Sequence, residues 1–328
     1  ARGVALSNLD KVYWPDDGYT KGDLIAYYRK AARWMLPYLR DRPVVLTRYP
    51  DGIAGKSFYQ KNSPEFLPSW IPTLPAWSED AGREIRYATV PSEEALLYLV
   101  NLGTIPFHLW ASSAPHLERP DWCILDLDPK GAPFAHVVEL ARALHELCEE
   151  LGLPSYVKTS GSSGLHVLVP LGAALDYEQS RMLGELLAQL VVRRHPRIAT
   201  ITRQISARGG KVYVDYLQNR RGQLLAAPWC VRPLPGAPVS TPLRWQEVVP
   251  TLDIKRFTID SVPARLRRNA ADPMVAVLAE KADVAAALAR LAETAAPVEA
   301  TPARPSKGRP AAAAGKAPLA ATRKRRRP

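Results

Sequence analysis

The chain has 328 residues, of which 47% are hydrophobic, and its formal net charge is +12. This length suffices for one large α/β domain or for two smaller domains. No apolar run reaches about 18 residues, which argues against a membrane protein. The three cysteines, Cys123, Cys148 and Cys230, fit neither a disulfide framework nor a zinc site, and they favour a reducing cytoplasm.

The positive charge is concentrated near the C-terminus. Residues 304–328 contain nine basic residues and no acidic residue, which leaves a net charge of +3 for the rest of the chain. Alanine, proline and basic residues dominate 296–328, so we expect a disordered basic tail there. Such a tail would add salt-sensitive affinity for nucleic acid. The chain begins at Ala1 without a methionine, which suggests a segment of a longer protein.

Helices and strands are mixed along the first third of the chain. Thr20 and Asp23 have the spacing of a capping box, and apolar residues at helical intervals predict a helix over 21–39. Ser92 is predicted to cap a second helix that ends near residue 102. Runs of β-prone residues predict strands at 43–49, 84–90 and 106–111.

The rest of the chain continues this mixed pattern. An apolar run over 122–127 is stopped by Pro129 and predicts a buried strand. Residues 199–205 and 211–217 are predicted to form a hairpin-like pair. Further strands are predicted at 155–159 and 165–169, and further helices at 135–151, 177–195 and 273–293. Interspersed strands and helices, some of the strands in hairpins, predict an α/β (α+β) fold.

Two aspartates end the strand that begins at Trp122. Side chains of a strand alternate between its faces, so Asp126 and Asp128 project to one side, roughly 6.6 Å apart along the strand. Carboxylates this close repel each other, and a divalent ion such as Mg²⁺ or Mn²⁺ would bind between them. The alternative is that Asp128 opens a turn with Pro129 while Asp126 is solvated at the strand end.

A third carboxylate has a similar setting. Asp215 interrupts the β-prone run 211–217, where an ionised aspartate is unfavourable unless something binds it. Three aspartates on neighbouring strands could hold two metal ions about 3.5 to 4 Å apart, as phosphoryl transfer requires. The alternative is a surface aspartate on an edge strand.

Three further features allow both a functional and a structural interpretation. The turn from Ser160 to Gly164 could present backbone N–H groups to an anion, or it could be a flexible connection. His108 and His166 lie among apolar residues, where a histidine is more commonly a core residue that is hydrogen-bonded to the backbone than a functional residue. Phe58 lies among aromatic and basic residues that could stack on bases and hold phosphates, or it could belong to the core.

Taken together, three motifs resemble the polymerase domain of bacterial DNA ligase D, which belongs to the archaeo-eukaryotic primase superfamily and serves non-homologous end joining. The motifs are Asp126-Leu-Asp128-Pro, Ser160-Gly-Ser-Ser-Gly-Leu-His166 and Val-Asp215-Tyr. The resemblance implies one primase-polymerase domain over 1–295, followed by the tail at 296–328. Residues 1–105 would form mainly an N-terminal α/β module. Residues 106–250 would form mainly a catalytic module, with a sheet like that of an RNA-recognition motif (RRM).

The resemblance also implies two groups of residues around the incoming nucleotide. The ligands of two divalent metal ions, Mn²⁺ or Mg²⁺, would be the catalytic residues Asp126, Asp128 and Asp215. The residues that bind the NTP or dNTP would be His108, Ser160, His166 and Arg232. Relatives often carry a lysine at the position of Ser163, so one phosphate contact would be missing here.

DNA binding is implied at three other positions. Lys11 and Lys21 would bind the 5′-phosphate of a gapped or overhanging DNA end, and Phe58 would pack on the template. The implied activity is template-dependent addition of nucleotides to a primer 3′-hydroxyl at breaks and short gaps. The implied partners are Ku and a DNA ligase, in the bacterial cytoplasm at the nucleoid. The sequence contains no Lys-x-Asp-Gly motif, so ligation itself is not expected of this chain.

Two other classes of function remain open from the residues. Haloacid-dehalogenase-like phosphatases also have a hydrophobic strand that ends in Asp-x-Asp, which would make Asp126 a nucleophile and Asp128 a general acid. Pro129 stands where those enzymes usually have Thr or Val. A catalytically inactive module that binds DNA ends or Ku is the second alternative, and three intact carboxylates argue against it.

Overall fold

The structure is a computed structural model that describes residues 3–79, 81–269 and 271–295. Its first part contains a two-stranded sheet, two helices and most strands of a larger sheet. The elements are β1 Val12–Trp14, β2 Tyr19–Thr20, α1 Lys21–Leu39, β3 Val44–Arg48, β4 Phe58–Gln60, β5 Thr73–Ser78, β6 Arg83–Ala88, α2 Glu93–Asn101 and β7 Thr104–Leu109.

The second part contains the remaining strands and helices. They are β8 Trp122–Asp128, α3 Phe134–Leu151, β9 Tyr156–Thr159, β10 Leu165–Pro170, α4 Tyr177–Arg194, β11 Ala199–Thr200, β12 Val212–Asp215, β13 Leu225–Ala226, β14 Pro242–Leu243, α5 Val262–Arg268 and α6 Val284–Ala295. The basic tail predicted at 296–328 lies outside the described residues.

The chain from β8 to β12 forms a β-α-β-β-α-β unit. The six-stranded sheet has the order β11-β12-β8-β10-β9-β14. Its four central strands, β12-β8-β10-β9, are antiparallel to their neighbours in this series, which is the arrangement of ferredoxin-like and RRM folds. Cys123 on β8 points to α4, where its Sγ lies 3.5 Å from the carbonyl oxygen of Ser180. Because side chains alternate along β8, Asp126 and Asp128 lie on the opposite face. The predicted RRM-like sheet is confirmed.

The other sheet combines strands from distant parts of the chain. Its order is β13-β7-β3-β6-β5, with β4 beside β3, and all pairs are antiparallel. β7 crosses the predicted module boundary at 105 and carries His108, which pairs with Ala226. One continuous hydrophobic core includes Phe107 from this sheet and Trp122 from the RRM-like sheet. The division into modules stays a prediction.

The start of α1 agrees with the predicted capping box. The Thr20 hydroxyl oxygen accepts the backbone N–H of Asp23 at 3.2 Å, and the Asp23 carboxylate accepts the N–H of Thr20 at 2.8 Å. These bonds satisfy donors that a helix start otherwise leaves without partners. The predicted helix over 21–39 is confirmed.

Residues 199–217 differ from the predicted hairpin. β11 and β12 pair in parallel, with Ala199 opposite Val212. The connection includes a 3₁₀ turn at Ile205–Ala207, and the Arg208 guanidinium donates to the carbonyl oxygens of Thr202 and Arg203 at 3.3 and 3.0 Å. This buried side chain folds the connection into a crossover, whereas a hairpin requires a tight reversal. The hairpin prediction was therefore wrong.

The alanine-rich helix predicted at 273–293 is interrupted. A 3₁₀ turn at Val275–Leu278 is followed by a segment without regular secondary structure before α6 begins. The N–H of Ala282 donates to the carbonyl oxygen of Pro170 at the end of β10, at 3.0 Å, and Asp283 accepts the N–H of Ala286 at 3.0 Å. These hydrogen bonds override the helix propensity of the alanines.

Two further observations concern the state of the cysteines and whether a helix could span a membrane. Cys123, Cys148 and Cys230 are buried thiols. Burial raises the pKa of Cys123 and Cys148 to about 12, so both stay protonated at neutral pH. Among the helices that the structure describes, none has the length and apolar character needed to cross a bilayer.

Candidate active site

Four polar side chains form a row across the RRM-like sheet. Asp126 on β8 lies opposite Asp215 of β12 on one side and opposite His166 of β10 on the other. Lys158 of β9 lies opposite His166 in turn. Cross-strand partners share a face of the sheet, so these four residues, the polar row, follow one another over four adjacent strands. Asp128 lies on the same face, two residues beyond Asp126.

Asp126 is in positive surroundings. Its Oδ1 lies 3.4 Å from Nε2 of His166. Burial acts to raise the pKa of the Asp126 carboxyl, but the contact with His166 and the charges of Lys158 and Arg232 outweigh it, and the pKa lies below its usual value. Burial and Lys158 also lower the pKa of His166, which keeps the imidazole neutral. Asp126 is therefore an anion at neutral pH.

The other two carboxylates have different partners. Oδ2 of Asp128 accepts a hydrogen bond from the buried guanidinium of Arg208 at 2.9 Å. Asp215 accepts hydrogen bonds from the backbone N–H of Leu217 at 2.8 Å and from the hydroxyl of Tyr213 at 3.1 Å. Burial, together with the neighbouring Asp126 carboxylate, raises the pKa of Asp215 above its usual value. The charge of Asp126 is thus uncompensated on the side of Asp215.

This donor set fits a divalent cation in its chemistry. Carboxylate oxygens are the ligands that Mg²⁺ and Mn²⁺ prefer, and a cation beside Asp126 and Asp215 would relieve their repulsion. Within the described ranges, no three side chains of His, Cys, Asp or Glu already converge as a ligand cluster. Arg208 holds Asp128 and His166 contacts Asp126 instead. A cation at this site would therefore compete with Arg208 and His166 for these carboxylates.

A cleft of about 220 Å³ lies over the middle of the polar row, at Asp126 and His166, whereas Asp215 and Lys158 are not among its lining residues. Six of the predicted site residues line it: His108, Asp126, Asp128, Ser160, His166 and Arg232. His108 reaches the cleft from the other sheet, on β7. Burial, then the charges of Arg232 and Lys158, lower the pKa of His108 to about 3, so its imidazole is neutral. The tertiary structure thus joins a carboxylate side and a basic side in one cleft.

Ser160 organises the loop between β9 and β10. Its hydroxyl oxygen accepts the backbone N–H groups of Ser162 at 3.1 Å and Gly164 at 3.0 Å. A Cβ atom at Gly164 would lie 2.1 Å from the carbonyl oxygen of Leu127, so only glycine allows this approach to β8. Two N–H groups of the predicted anion nest are therefore already bonded within the loop.

Arg232 supplies the cation beside this loop. Its NH1 donates to the carbonyl oxygen of Ser160 at 2.7 Å. Its Nε is buried and has no hydrogen-bond partner among the residues described. Buried donors without acceptors are unfavourable, and an anionic ligand in the cleft would supply the acceptor.

Lys158 belongs to the polar row, although the sequence motifs did not single it out. It is fully buried, and its Nζ donates to the hydroxyl of Ser240 at 2.6 Å. Burial lowers its pKa to about 7. Its position inside the β-prone run 155–159 could have indicated its importance, because a charged residue in a central strand is unfavourable unless it is paired or binds a ligand. Arg208, which holds Asp128, carried no such local signal.

Lys11 and Lys21 do not line the cleft. Nζ of Lys11 forms an ion pair with Asp51 at 2.5 Å. Lys21 begins α1 and is buried, and its Nζ donates to the carbonyl oxygen of Ser7 at 2.8 Å. Burial and the charge of Lys11 lower the pKa of Lys21. The two lysines therefore form a separate basic site near the start of α1.

Phe58 also lies outside the lining of the cleft. Its side chain on β4 is 46% exposed, with the guanidinium of Arg48 at 5.3 Å from its ring centre. Tyr59 beside it is 65% exposed. Phe58 is therefore not a core residue, and its ring can be reached from solvent.

The comparisons with known proteins agree with this fold and these motifs. The family model for "LigD, primase-polymerase domain" matches residues 20–274. The multifunctional non-homologous end joining protein LigD of Pseudomonas aeruginosa is 35% identical over 272 residues, which cover 82% of this chain and 32% of that protein. The bifunctional non-homologous end joining protein LigD of Bacillus subtilis is 32% identical over 268 residues, which cover 81% of this chain and 43% of that protein. The chain thus spans less than half the length of these relatives.

A solved structure of a ligase D polymerase domain also matches this chain. The polymerase domain from Mycobacterium tuberculosis ligase D in complex with DNA superposes with a TM-score of 0.79 at 28% identity, covering 86% of this chain and 100% of that one. The predicted family and fold are confirmed, and no comparison favours a phosphatase or an inactive module. The chain therefore belongs to the family of LigD primase-polymerase domains, a class of nucleotidyltransferases.

Proposed function

We propose that this chain transfers a nucleotide from an NTP or dNTP to a primer 3′-hydroxyl under the direction of a template, with release of pyrophosphate. The reaction would take place at DNA breaks and short gaps during non-homologous end joining. The observation that carries this proposal is the polar row, in which Asp215 and Asp126 stand in register on one side and His166 and Lys158 on the other. Phosphoryl transfer requires acidic groups that bind metal cations next to basic groups that bind phosphates, and the polar row provides both.

Asp126, Asp128 and Asp215 would hold two divalent ions, Mn²⁺ or Mg²⁺. Such ions stabilise the charge that develops on the phosphoryl oxygens. Asp126 lies opposite Asp215 and two residues from Asp128, so all three carboxylates could contribute ligands to the ions. The positive surroundings of Asp126 keep it ionised, and a cation beside Asp126 and Asp215 would relieve the repulsion that contributes to the raised pKa of Asp215.

The nucleotide would bind on the basic side of the cleft. Arg232 has a buried Nε without a partner in the described part of the chain, and it contacts Ser160 at the loop that lines the cleft. With His166, these residues would hold the triphosphate. The neutral imidazole of His108 can donate or accept a hydrogen bond, which suits a contact with the sugar.

The DNA would extend beyond the cleft. Lys11 and Lys21 would bind the 5′-phosphate of a gapped or overhanging end, and the exposed ring of Phe58 would stack on the template. We further propose that the chain works with Ku and a DNA ligase in the bacterial cytoplasm at the nucleoid. Support for this setting comes from the LigD relatives, which are named for non-homologous end joining.

Primer extension on a 5′-phosphorylated gapped duplex tests the proposal, with Mn²⁺ or Mg²⁺ and with NTPs or dNTPs. We expect template-matched addition by the wild type and a loss of roughly a hundredfold or more with Asp126→Asn, because a metal-binding carboxylate becomes a neutral amide. Glu146→Gln on the outer side of α3 is the matched control and should retain activity. Undiminished extension by Asp126→Asn would contradict the proposal. Turnover of a phosphomonoester without template would support the phosphatase alternative.

A further inference from the structure

A second polar pocket lies beside α5. It has a volume of about 270 Å³ and is lined by Arg256, Phe257, Ser261, Arg265, Arg268 and Asn269. None of these residues lines the active-site cleft. We call it the α5 pocket.

Positive charge exceeds negative charge in the α5 pocket. Arg265 pairs with Glu247 through two hydrogen bonds, NH1 to Oε1 at 2.5 Å and NH2 to Oε2 at 2.7 Å. The same carboxylate also accepts the backbone N–H of Arg244 at 2.8 Å, so three hydrogen bonds already occupy it. Arg256 and Arg268 are exposed at the rim, and within the described ranges neither forms an ion pair. Two guanidinium groups are therefore available to an incoming anion.

Buried donors in this pocket also lack acceptors. Nε of Arg265 and Nδ2 of Asn269 are buried, and neither has a hydrogen-bond partner in the described part of the chain. Oδ1 of Asn269 already accepts from Arg244 at 3.4 Å, and the hydroxyl of Ser261 donates to the carbonyl oxygen of Arg256 at 2.5 Å. Unpaired buried donors are unfavourable. An oxyanion with several acceptor oxygens would satisfy both.

We propose that the α5 pocket binds a phosphate group of the DNA backbone outside the catalytic cleft. Guanidinium groups bind phosphate through paired N–H donors, and two exposed arginines beside the partly buried Arg265 can supply such donors. The proposal rests on the proposed function, because it adds a DNA contact to the same polymerase. A free phosphate or pyrophosphate ion has the same chemistry, so the source must be distinguished by experiment.

The position of the pocket favours DNA as the source. Asp260, next to Ser261, accepts a hydrogen bond from the hydroxyl of Tyr19 at 2.5 Å. Tyr19 lies two residues before Lys21, at the site proposed for the 5′-phosphate, and α5 packs against α1. Lys255 and Arg267 add exposed cations beside the pocket. DNA bound at Lys21 would thus also contact the positive charges of the α5 segment. A free phosphate ion would occupy the pocket alone and would not contact these additional cations.

The test compares three variants of the full chain by fluorescence anisotropy with a labelled, 5′-phosphorylated gapped duplex over a range of salt concentrations. Arg256→Gln with Arg268→Gln removes both rim charges. Arg256→Lys with Arg268→Lys keeps the charges, and Arg193→Gln with Arg197→Gln removes two exposed arginines at the end of α4. Thermal unfolding of each variant checks that it is folded, and binding of inorganic pyrophosphate is measured by calorimetry.

We expect the glutamine pair at the pocket to weaken DNA binding on the order of tenfold at low salt. The slope of log K against log salt should fall by about one, because the protein then neutralises one phosphate fewer. The lysine pair should restore the slope, and the α4 pair should bind like the wild type. Equal weakening by both glutamine pairs, or a lysine pair with the reduced salt slope of the glutamine pair, would overturn the proposal. Loss of pyrophosphate binding with unchanged DNA binding would overturn DNA as the source.

Failure of this proposal and failure of the proposed function give different results. Wild-type primer extension is measured separately from binding. An absence of extension together with a pocket-specific loss of DNA binding would count against the polymerase activity and support the α5 pocket. Normal extension together with unchanged binding by the glutamine pair would count against the pocket alone.

Discussion

Asp215 lies directly opposite Asp126 in the antiparallel pair of β12 and β8. Like charges in this position destabilise a sheet, and the raised pKa of Asp215 reflects both its burial and this neighbour. A repulsive pair at the centre of a well-packed sheet is hard to explain by stability. It is readily explained by a cation that both carboxylates bind.

Asp215→Asn should therefore separate activity from stability. We expect primer extension to fall roughly a hundredfold or more, because a metal-binding carboxylate is removed. Without metal, the free energy of unfolding should stay the same or rise by up to about 1 kcal/mol, because the like-charge pair is gone. Denaturant unfolding in EDTA and primer extension measure the two effects, with Glu146→Gln as control. A variant that is markedly less stable yet active would contradict this explanation.

Lys158 should make stability depend on pH. Its pKa is depressed from 10.5 to about 7 by burial, so between about pH 7 and 10.5 the unfolded chain binds the proton that the folded chain lacks. Stability should then rise with pH across this window, by up to about 1 kcal/mol per pH unit. Lys158→Met should abolish this rise. Denaturant unfolding in EDTA at several pH values compares the two proteins, and parallel pH profiles would refute the depressed pKa.

Arg208 should compete with metal ions for Asp128. Its guanidinium donates to Asp128 at 2.9 Å and stabilises the preceding loop through two carbonyl oxygens. We expect Arg208→Met to bind Mn²⁺ more tightly in the absence of DNA, because a competing cation is removed, and to lose about 1 to 3 kcal/mol of stability, because the carbonyls lose their donor. Calorimetric Mn²⁺ titration and denaturant unfolding test both. Unchanged Mn²⁺ affinity in a folded variant would show that Arg208 does not compete.

Lys21 should contribute to recognition of a 5′-phosphate. Its Nζ is buried beside Ser7, and its pKa is lowered by burial and by Lys11, so a phosphate would compensate two nearby cations. We expect Lys21→Met to reduce the preference for 5′-phosphorylated over 5′-hydroxyl gapped DNA on the order of tenfold. Lys30→Met, at an exposed position of the same helix, is the matched control. The proposed role would be excluded if both variants kept the wild-type preference.

Local features were predictable from the sequence because they depend on neighbours in the chain. The cap of α1 at Thr20 and Asp23 follows from a three-residue spacing, and the shared face of Asp126 and Asp128 follows from strand alternation. Predictions failed where hydrogen bonds to distant residues decide the backbone. Arg208 turns the predicted hairpin into a parallel crossover, and Pro170 holds Ala282 in a non-helical segment within the alanine-rich run.

By itself, the sequence determined the RRM-like order of elements, the family and the residue types of the site. Only the tertiary structure decided which of those residues meet. The register of β8 with β12 and β10 places Asp215 and His166 on either side of Asp126. The pairing of distant strands brings His108 into the same cleft. Strand order and register depend on contacts between residues far apart in the chain, which no local pattern specifies.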